Sequence, residues 1–289
     1  MRVWGTELHS TMFSLEVFPP KRNTPVGTIY DTLDGLQGVD PDFISVTYGT
    51  GKQSDRTVTA RIAHTVKAEY GIPAVAHLTA LYADQQTIDE ELGLFEAAGV
   101  SAVLALGGNV LPDREPAHVF DHASDLVTYI REHKPDMQVF AACYPECHPL
   151  AASLDEDIRH LKTKVDAGAE RLISQLFFDN ADFLNFIDKA RAAGITVPVE
   201  AGIMPVTSAA QIRRMVSMCG SRIPEGLTRI LDRWGGDDQE SLREAGIIYA
   251  SEQISDLLAR GVDGIHLYTM NHAGTTRRIW NNTHTLFER

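Results

Sequence analysis

Short apolar runs alternate with longer amphipathic segments along this chain of 289 residues. Mostly apolar runs of this kind, bounded by polar or glycine positions, predict β-strands. They cover residues 13–18, 43–47, 74–78, 102–106, 139–142, 172–176, 197–201 and 264–268. Segments with apolar residues three and four positions apart predict helices with one buried face. They cover residues 57–67, 86–97, 123–132, 155–167, 181–192, 209–218 and 241–258.

Glycines follow several of the predicted helices, at Gly99, Gly168, Gly194 and Gly261. Glycine adopts the left-handed conformation that ends a helix at little cost, and the next predicted strand follows within a few residues. Strand and helix repeated eight times in one domain predict an all-parallel sheet that is buried on both faces. In a chain of this length the pattern is typical of an α/β fold of the (β/α)8 TIM barrel type.

The alternative fold is a doubly wound open sheet, which normally has a glycine-rich turn after its first strand. Here the first predicted strand ends at Pro19-Pro20, and Gly107-Gly108 after the fourth strand is too short a signal for a phosphate loop. The barrel is therefore favoured. We expect residues 1–289 to form a single catalytic domain with no added regulatory domain.

Composition narrows the class of protein. The net charge is −13, and no cluster of lysine and arginine stands out, so neither nucleic acid nor an anionic membrane is an expected partner. No apolar stretch approaches the ~20 residues of a membrane span, and the N-terminal segment lacks the features of a signal peptide. Three cysteines are too few for a disulfide framework. These features predict a cytoplasmic protein.

One carboxylate interrupts the first predicted strand, which reads FSLEVFPPK over residues 13–21. Glu16 stands between Leu15 and Val17 in this strand. A charge among apolar neighbours is costly unless it is paired, hydrated or used in chemistry. A carboxylate at a strand end is, however, more often an ion-pair partner than a catalyst.

Polar residues follow the other predicted strands at the ends where barrel enzymes carry their chemistry. In chain order they are Glu16, Thr47-Tyr48-Gly49, His77, Gly107-Gly108-Asn109, Tyr144-Pro145-Glu146-Cys147-His148, Gln175, Gly202 and Tyr268-Thr269-Met270-Asn271. Taken singly, His77 could be a hydrogen-bonded core histidine and Gln175 could tie down a loop. Because the strand ends of a barrel converge on one mouth, the set as a whole predicts a site there.

Other chemistries are weakly supported. Cys143, Cys147 and His148 suggest a metal, but their spacing lacks the second ligand pair of a zinc site, so we expect no metal. Nothing in the sequence specifies a setting that stabilises a thiolate nucleophile. No G-x-S-x-G elbow is present to begin a Ser-His-Asp triad.

A series of motifs in a fixed order identifies a protein family far more specifically than any one of the motifs does. They are FSLEVFPPK (13–21), ISVTYGTG (44–51), DRT (55–57), AHLT (76–79), AACYPECHP (141–149), KVDAGAERLISQLFFD (164–179), GIMPV (202–206) and HLYTMN (266–271). The series closely resembles the methylenetetrahydrofolate reductase family over nearly the whole chain. That resemblance implies a TIM barrel that holds FAD in its mouth and reduces 5,10-methylenetetrahydrofolate to 5-methyltetrahydrofolate with NADH or NADPH. It also implies one-carbon metabolism leading to methionine biosynthesis, and a homo-oligomer.

Site residues follow from the resemblance by motif. Glu16 matches the general acid that helps to open the methylene bridge to a reactive iminium. Apolar surroundings disfavour the charged form of a carboxyl group, so Glu16 is expected to stay protonated and donate. Positions that match flavin contacts are Thr47, Tyr48, Thr50, His77, Gly108, Asn109, Ala123, Tyr144, His148, Asp157, His160 and Lys164. Positions that match substrate contacts are Asn109, Gln175, Gln211 and His272.

The sequence departs from the family pattern at three places. Gly107 and Asn109 replace the arginine and aspartate of the usual L-R-G-D, which removes a cation that contacts the flavin and neutralises a carboxylate beside it. The loss of that negative charge is expected to raise the flavin reduction potential. His272 stands where the family usually has arginine or lysine, and Met215 where an aromatic residue is frequent.

These departures leave three hypotheses open. The favoured one is an ordinary flavin-dependent reductase with altered flavin potential or pterin affinity. A second is flavin-independent, direct hydride transfer from NADH or NADPH to the folate. A third is a folate- or flavin-binding subunit of a larger complex that receives electrons from a partner protein. Retention of Glu16 and Gln175 favours the first two.

Overall fold

Eight parallel strands close into a barrel in chain order in the computed structural model, which describes residues 11–20, 28–48, 56–111 and 113–287. The strands are β1 (Met12–Val17), β2 (Phe43–Val46), β3 (Ala74–Thr79), β4 (Ala102–Leu106), β5 (Gln138–Cys143), β6 (Arg171–Ser174), β7 (Val199–Ile203) and β8 (Gly264–Tyr268). The last strand pairs with the first, so the sheet has no free edge. The predicted (β/α)8 TIM barrel is confirmed.

Helices surround the barrel. They are α1 (Thr28–Gly35), α2 (Arg56–Ala68), α3 (Gln85–Ala97), α4 (Ala123–His133), α5 (Leu154–Asp166), α6 (Asn180–Ala192), α7 (Ala209–Cys219), α8 (Glu225–Trp234), α9 (Gln239–Ala259) and α10 (Ala273–Thr283). A 3-10 turn, His284–Leu286, follows α10. The glycines predicted to end helices, Gly99, Gly168, Gly194 and Gly261, all have positive φ. Within the described ranges no helix combines the length and apolarity needed to cross a bilayer.

The prediction was wrong about part of β7. The strand begins at Val199 rather than at residue 197, because Pro198 has no N–H to give to a ladder. Its carbonyl still accepts a hydrogen bond from Leu172 N at 2.9 Å. Gly202 consequently lies inside β7 and not after its end.

Among the helices of the described ranges, α1, α8 and α10 were not predicted. Helix α10 shows why: its buried face combines Ile279 and Trp280 with the threonines Thr275, Thr276 and Thr283. A face rich in threonine gives no apolar periodicity in the sequence. Helix α8 buries only Leu227 and Leu231, which is too sparse a pattern to identify.

Alternation along the strands divides the apolar residues into two layers. Phe13, Leu15 and Val17 of β1 belong to the large cluster between the strands and the helices. A smaller cluster, which includes Phe43 and Phe140, fills the barrel interior. The residues of β1 that alternate with the first set face the interior of the barrel, and two of them, Ser14 and Glu16, are polar. The strand thereby brings Glu16 to the mouth.

Candidate active site

Glu16 lies between two buried histidines at the mouth. Its Oε2 atom is 3.5 Å from His77 Nε2 on β3 and 3.8 Å from His266 Nε2 on β8. The Glu16 side chain is 17% exposed. Neither Nε2 atom has a hydrogen-bond partner among the residues that the structure describes. Two buried ring nitrogens therefore face one oxygen of a carboxyl group whose side chain is partly exposed.

Burial decides the charge of His77. The loss of solvation lowers the pKa of His77 to about 4, and the nearby Glu16 only partly opposes the shift. His77 is therefore neutral at pH 7, and its contact with Glu16 is one between a carboxyl group and a neutral imidazole. The two side chains therefore lie close together without forming an ion pair.

The segment after β8 fixes the backbone around Glu16. Thr269 Oγ1 donates to the Glu16 carbonyl at 2.6 Å. Asn271 Oδ1 accepts from Phe18 N at 3.1 Å, and Asn271 Nδ2 donates to Phe18 O at 2.8 Å. Met270 and Asn271 have φ values of 50° and 56°, a conformation that asparagine tolerates better than methionine. These contacts extend the pairing of β1 with β8 beyond the regular strands.

Tyr268 closes the barrel interior next to Glu16. Its hydroxyl donates to Ser174 O at 2.7 Å, and Gly202 N donates to Ser174 Oγ at 2.8 Å. A Cβ atom at Gly202 would overlap Ser174 O and lie 2.9 Å from the Tyr268 ring. Burial raises the pKa of Tyr268 well above its usual value, so the phenol stays protonated and donates. Glycine at position 202 is what allows this close approach.

The β2 side of the mouth contains two of the predicted flavin positions. The Thr47 carbonyl accepts from Thr59 Oγ1 at 3.2 Å, and Tyr48 OH donates to the buried Glu91 Oε1 at 2.9 Å. Both Thr47 and Tyr48 are half-buried. The predicted contact Thr50 lies outside the described residues.

The β4 side of the mouth is open. Gly108 has a φ of 100°, which requires glycine or a strained residue, and both Gly108 and Asn109 are exposed. A Cβ atom at Gly107 would meet no other described atom within 4 Å. Ala123, another predicted flavin position, is half-buried at the start of α4. The family's arginine would thus have space at position 107.

The β5 side contains an aromatic pair above buried charges. The rings of Tyr144 and His148 meet edge to face with centroids 4.5 Å apart. Asp157 Oδ2 accepts from His148 N at 2.8 Å, and Lys164 Nζ donates to Ala142 O at 2.6 Å. Burial lowers the pKa of both His148 and Lys164, although Asp157 opposes the shift in each. Four of the predicted flavin positions are thus brought together.

The remaining predicted positions are more dispersed. Gln175 follows β6, where its Oε1 accepts from Leu176 N at 2.8 Å. Gln211 is half-buried in the first turn of α7. His160 on α5 and His272, the residue before α10, are exposed. Met215 packs on a separate apolar cluster beside β6 and β7 that includes Leu176.

The cysteines of this region do not form a reactive centre. Cys143, Cys147 and Cys219 are all free thiols. Burial raises the pKa of Cys143 to about 12 and raises that of Cys147, so both thiols are protonated at pH 7. Across the described parts of the chain, no group of three or more His, Cys, Asp or Glu side chains is arranged to hold a metal ion.

A buried polar chain beneath Glu16 was missed from the sequence. Ser14 Oγ donates to Glu200 Oε2 and lies 2.6 Å from His266 Nδ1, and Arg171 Nη1 lies 3.3 Å from Glu200 Oε1. The signal was present in β1, because Ser14 alternates with the apolar residues in the same way as Glu16. Its partners lie on β6, β7 and β8, and no local pattern predicts that they meet.

Comparison with known proteins identifies relatives of this chain. The profile of a family described as Methylenetetrahydrofolate reductase matches residues 5–284. A 5,10-methylenetetrahydrofolate reductase of Pectobacterium carotovorum is 35% identical over 273 residues, which cover 94% of this chain and 89% of that protein. Methylenetetrahydrofolate reductase (NADH) 1 of Arabidopsis thaliana is 34% identical over 92% of this chain, which spans only 47% of the plant protein.

The fold also recurs in more distant proteins. A solved Clostridium thermocellum protein, described as binding two copies of 5-methyl-5,6,7,8-tetrahydrofolic acid, aligns with a TM-score of 0.65. It is 14% identical and covers 96% of this chain and 95% of its own, so the likeness shows the fold alone. The family profile and the bacterial relative carry the assignment. The chain therefore belongs to the methylenetetrahydrofolate reductase family of oxidoreductases.

Proposed function

We propose that this protein reduces 5,10-methylenetetrahydrofolate to 5-methyltetrahydrofolate, with FAD as its cofactor and NADH or NADPH as the electron donor. The observation that carries the proposal is the Glu16 carboxyl group at the mouth, 3.5 Å and 3.8 Å from two buried histidine nitrogens. An acid must be close to the substrate and held in one orientation to transfer a proton efficiently. The position of Glu16 on β1 at the mouth, and the contact of Thr269 with its backbone carbonyl, support this role.

The described residues fit a flavin dinucleotide. Space is open beside Gly107, and Gly108 and Asn109 present backbone and amide groups at an exposed edge. Tyr144 offers an aromatic ring after the neighbouring strand β5, and the half-buried Lys164 donates to the Ala142 carbonyl of that strand. When bound there, FAD would supply the hydride that reduces the folate carbon.

The chain's own residues would perform the proton transfer and the orientation. Glu16 would give its proton to the amine of the methylene bridge, which opens the bridge to an iminium on N5 of the pterin. Gln175, Gln211 and Asn109 would position the pterin, because amides both donate and accept hydrogen bonds as its ring requires. Asn109 cannot supply the charge-assisted bond of an aspartate, so the pterin contact there is weaker than the family pattern implies.

The test is an anaerobic absorbance experiment on the purified protein. A flavin spectrum that bleaches with NADH or NADPH and returns with methylenetetrahydrofolate supports the two-step transfer. A colourless protein that takes up no FAD, yet oxidises NADH with the folate, supports the direct-transfer hypothesis instead. Bound flavin that neither nucleotide reduces supports a subunit that depends on a partner protein.

The role of Glu16 is tested with Glu16→Gln. Loss of the proton donor should slow folate reduction by about 100-fold or more, while flavin reduction by the nucleotide should stay within about twofold. Glu132→Gln, on the exposed surface of α4, is the matched control. Unchanged folate turnover in Glu16→Gln would exclude the role.

A further inference from the structure

The polar chain beneath Glu16 crosses the interior of the barrel. It connects Arg171 on β6, Glu200 on β7, Ser14 on β1 and His266 on β8, and it ends at Glu16. Glu200, Ser14 and His266 are completely buried. A TIM-barrel interior is normally filled with branched apolar side chains, so a polar layer at this depth requires a reason.

The single hydroxyl proton of Ser14 couples the hydrogen-bonding state of Glu200 to the tautomer of His266. Ser14 Oγ donates to Glu200 Oε2, and its contact with His266 Nδ1 is 2.6 Å. A hydroxyl that gives its proton to one partner must accept from the other. While Ser14 donates to Glu200, His266 must therefore carry its proton on Nδ1. In the neutral imidazole the other ring nitrogen, Nε2, is then bare, and it faces Glu16.

Arg171 favours the accepting, carboxylate state of Glu200. Burial raises the pKa of Glu200, and Arg171, His266 and Ser14 oppose the rise only in part. The guanidinium of Arg171, 3.3 Å from Oε1, stabilises the carboxylate that Ser14 needs as its acceptor. Arg171 Nη1 and Ser14 Oγ thus contact different oxygens of Glu200.

The His266 ring is also held in place. Phe43 stacks on it with a centroid distance of 6.1 Å, and Tyr268 packs against it edge to face at 5.3 Å. Ring rotation would break the contact with Ser14. The titratable and charged groups that face this region are Glu16 on β1, His77 on β3, Arg171 on β6, Glu200 on β7, Tyr268 on β8, and Asp42 just before β2.

We propose that Ser14 and Glu200 fix the tautomer of His266 so that its bare Nε2 faces Glu16, which favours the proton-donating form of Glu16. A lone pair facing a carboxyl group stabilises the protonated acid and repels the carboxylate. Ser14, Glu200 and His266 are positioning residues in this role, because they act on the substrate only through Glu16. The proposal deepens the proposed function and rests on it for its catalytic consequence.

The 3.8 Å separation of His266 Nε2 from Glu16 Oε2 is longer than a hydrogen bond. Contacts of catalytic acids are often long in the free protein and shorten in the substrate complex. Nε2 of the neutral His77 ring lies 3.5 Å from the same oxygen. The Glu16 hydroxyl thus has a bare nitrogen available as its acceptor.

Two variants remove this control of the His266 tautomer in different ways. In Ser14→Ala the Nδ1 partner is lost, so His266 becomes free to carry its proton on Nε2 and donate to the Glu16 carboxylate. In Glu200→Gln the amide oxygen turns to Arg171 and the amide N–H donates to Ser14, which then donates to His266 Nδ1. Both changes favour the carboxylate form of Glu16. Ser45→Ala is the matched control, because Ser45 is the Cα partner of Glu16 on β2 and its buried hydroxyl contacts no hydrogen-bonding group in the described chain.

The first measurement is independent of activity. Nitrogen-15 NMR of the histidine side chains, assigned with His266→Gln, reports which ring nitrogen is protonated. At pH 7 the wild-type protein and Ser45→Ala should show His266 protonated on Nδ1, and Glu200→Gln should show it protonated on Nε2. The same tautomer in the wild type and Glu200→Gln would overturn the proposal, whether or not the protein reduces folate.

The second measurement is the pH profile of folate reduction. The pH above which the rate falls should be lower in Ser14→Ala and Glu200→Gln than in the wild type, and the rate on the acid side should remain close to that of the wild type. The double variant should resemble the single variants, because both substitutions act on the same His266 tautomer. Equal slowing at every pH would show a merely structural role and contradict the proposal. A wild-type protein whose flavin spectrum bleaches with NADH or NADPH but which never reduces folate would instead refute the proposed function. The tautomer measurement alone would then test whether Ser14 and Glu200 fix the His266 tautomer.

Discussion

Asn271 pairs with the backbone of Phe18 through both ends of its carboxamide, at 3.1 Å and 2.8 Å. The side chain thus replaces the strand hydrogen bonds that would otherwise stop at the end of β8. Phe18 lies two residues beyond Glu16, so this pairing helps to orient the proposed acid.

Asn271→Asp should destabilise the protein and slow folate reduction. Aspartate keeps the acceptor for Phe18 N but places a carboxylate oxygen against Phe18 O, and the expected loss of unfolding free energy is about 1–3 kcal/mol. Urea denaturation monitored by circular dichroism measures it. Asn282→Asp, which changes an exposed amide on α10, should stay within about 0.5 kcal/mol of the wild type. Equal effects of the two substitutions would argue against the pairing.

His77 should make the stability of the protein depend on pH. Its pKa is about 4 in the folded state and 6.5 for the unperturbed side chain, so the unfolded state binds more protons between these values. Stability should therefore be lost as the pH falls from about 6.5 to about 4, by up to about 3 kcal/mol from this residue. Denaturation of the wild type and His77→Gln at pH 7.5, 6 and 5 measures the difference. A difference between the two proteins that is constant with pH would exclude this contribution.

Gly202→Ala should be strongly destabilising. The added methyl group would overlap Ser174 O and press on the Tyr268 ring at 2.9 Å, and overpacking of this kind costs about 1–3 kcal/mol. Thermal denaturation should show a lower midpoint. Gly93→Ala is the matched control, because Gly93 lies within α3 and a Cβ atom there would meet nothing within 4 Å. That variant should be neutral or slightly more stable.

Gly107→Arg should strengthen FAD binding if this chain uses the flavin. Space for the side chain exists at position 107, and a charge-assisted bond to the cofactor should lower the dissociation constant by about tenfold. Fluorescence titration of the apoprotein with FAD measures it. Gly107→Gln has no positive charge and serves as the control. Equal affinities in these two variants would show that the charge has no part in binding.

Asn109→Asp should lower the flavin reduction potential. A negative charge beside the ring disfavours the extra negative charge of its reduced form. For a two-electron couple, each ~1.4 kcal/mol of this repulsion lowers the potential by about 30 mV. Equilibration with a reference dye under anaerobic conditions measures the potential. Asn109→Gln keeps the neutral amide and should remain close to the wild type. A potential that rises in Asn109→Asp would contradict the expected electrostatics.

The sequence by itself determined the barrel and the strand ends that form its mouth. Apolar runs of strand length, helical periodicity and glycines at helix ends are local signals, because backbone sterics and burial of one face act over a few residues. The position of Glu16 within an apolar strand could be predicted from the sequence for the same reason. Helix α10 was not, because its threonine-rich face carries no apolar period.

Tertiary structure alone decided what surrounds Glu16. Ser14 and Glu200 are 186 residues apart, and Ser14 and His266 are 252 apart, yet closure of the barrel brings them into contact. The neutral state of His77 likewise depends on burial by several strands. Hydrogen bonding and desolvation depend on which atoms meet in three dimensions, so no local pattern of the chain determines them.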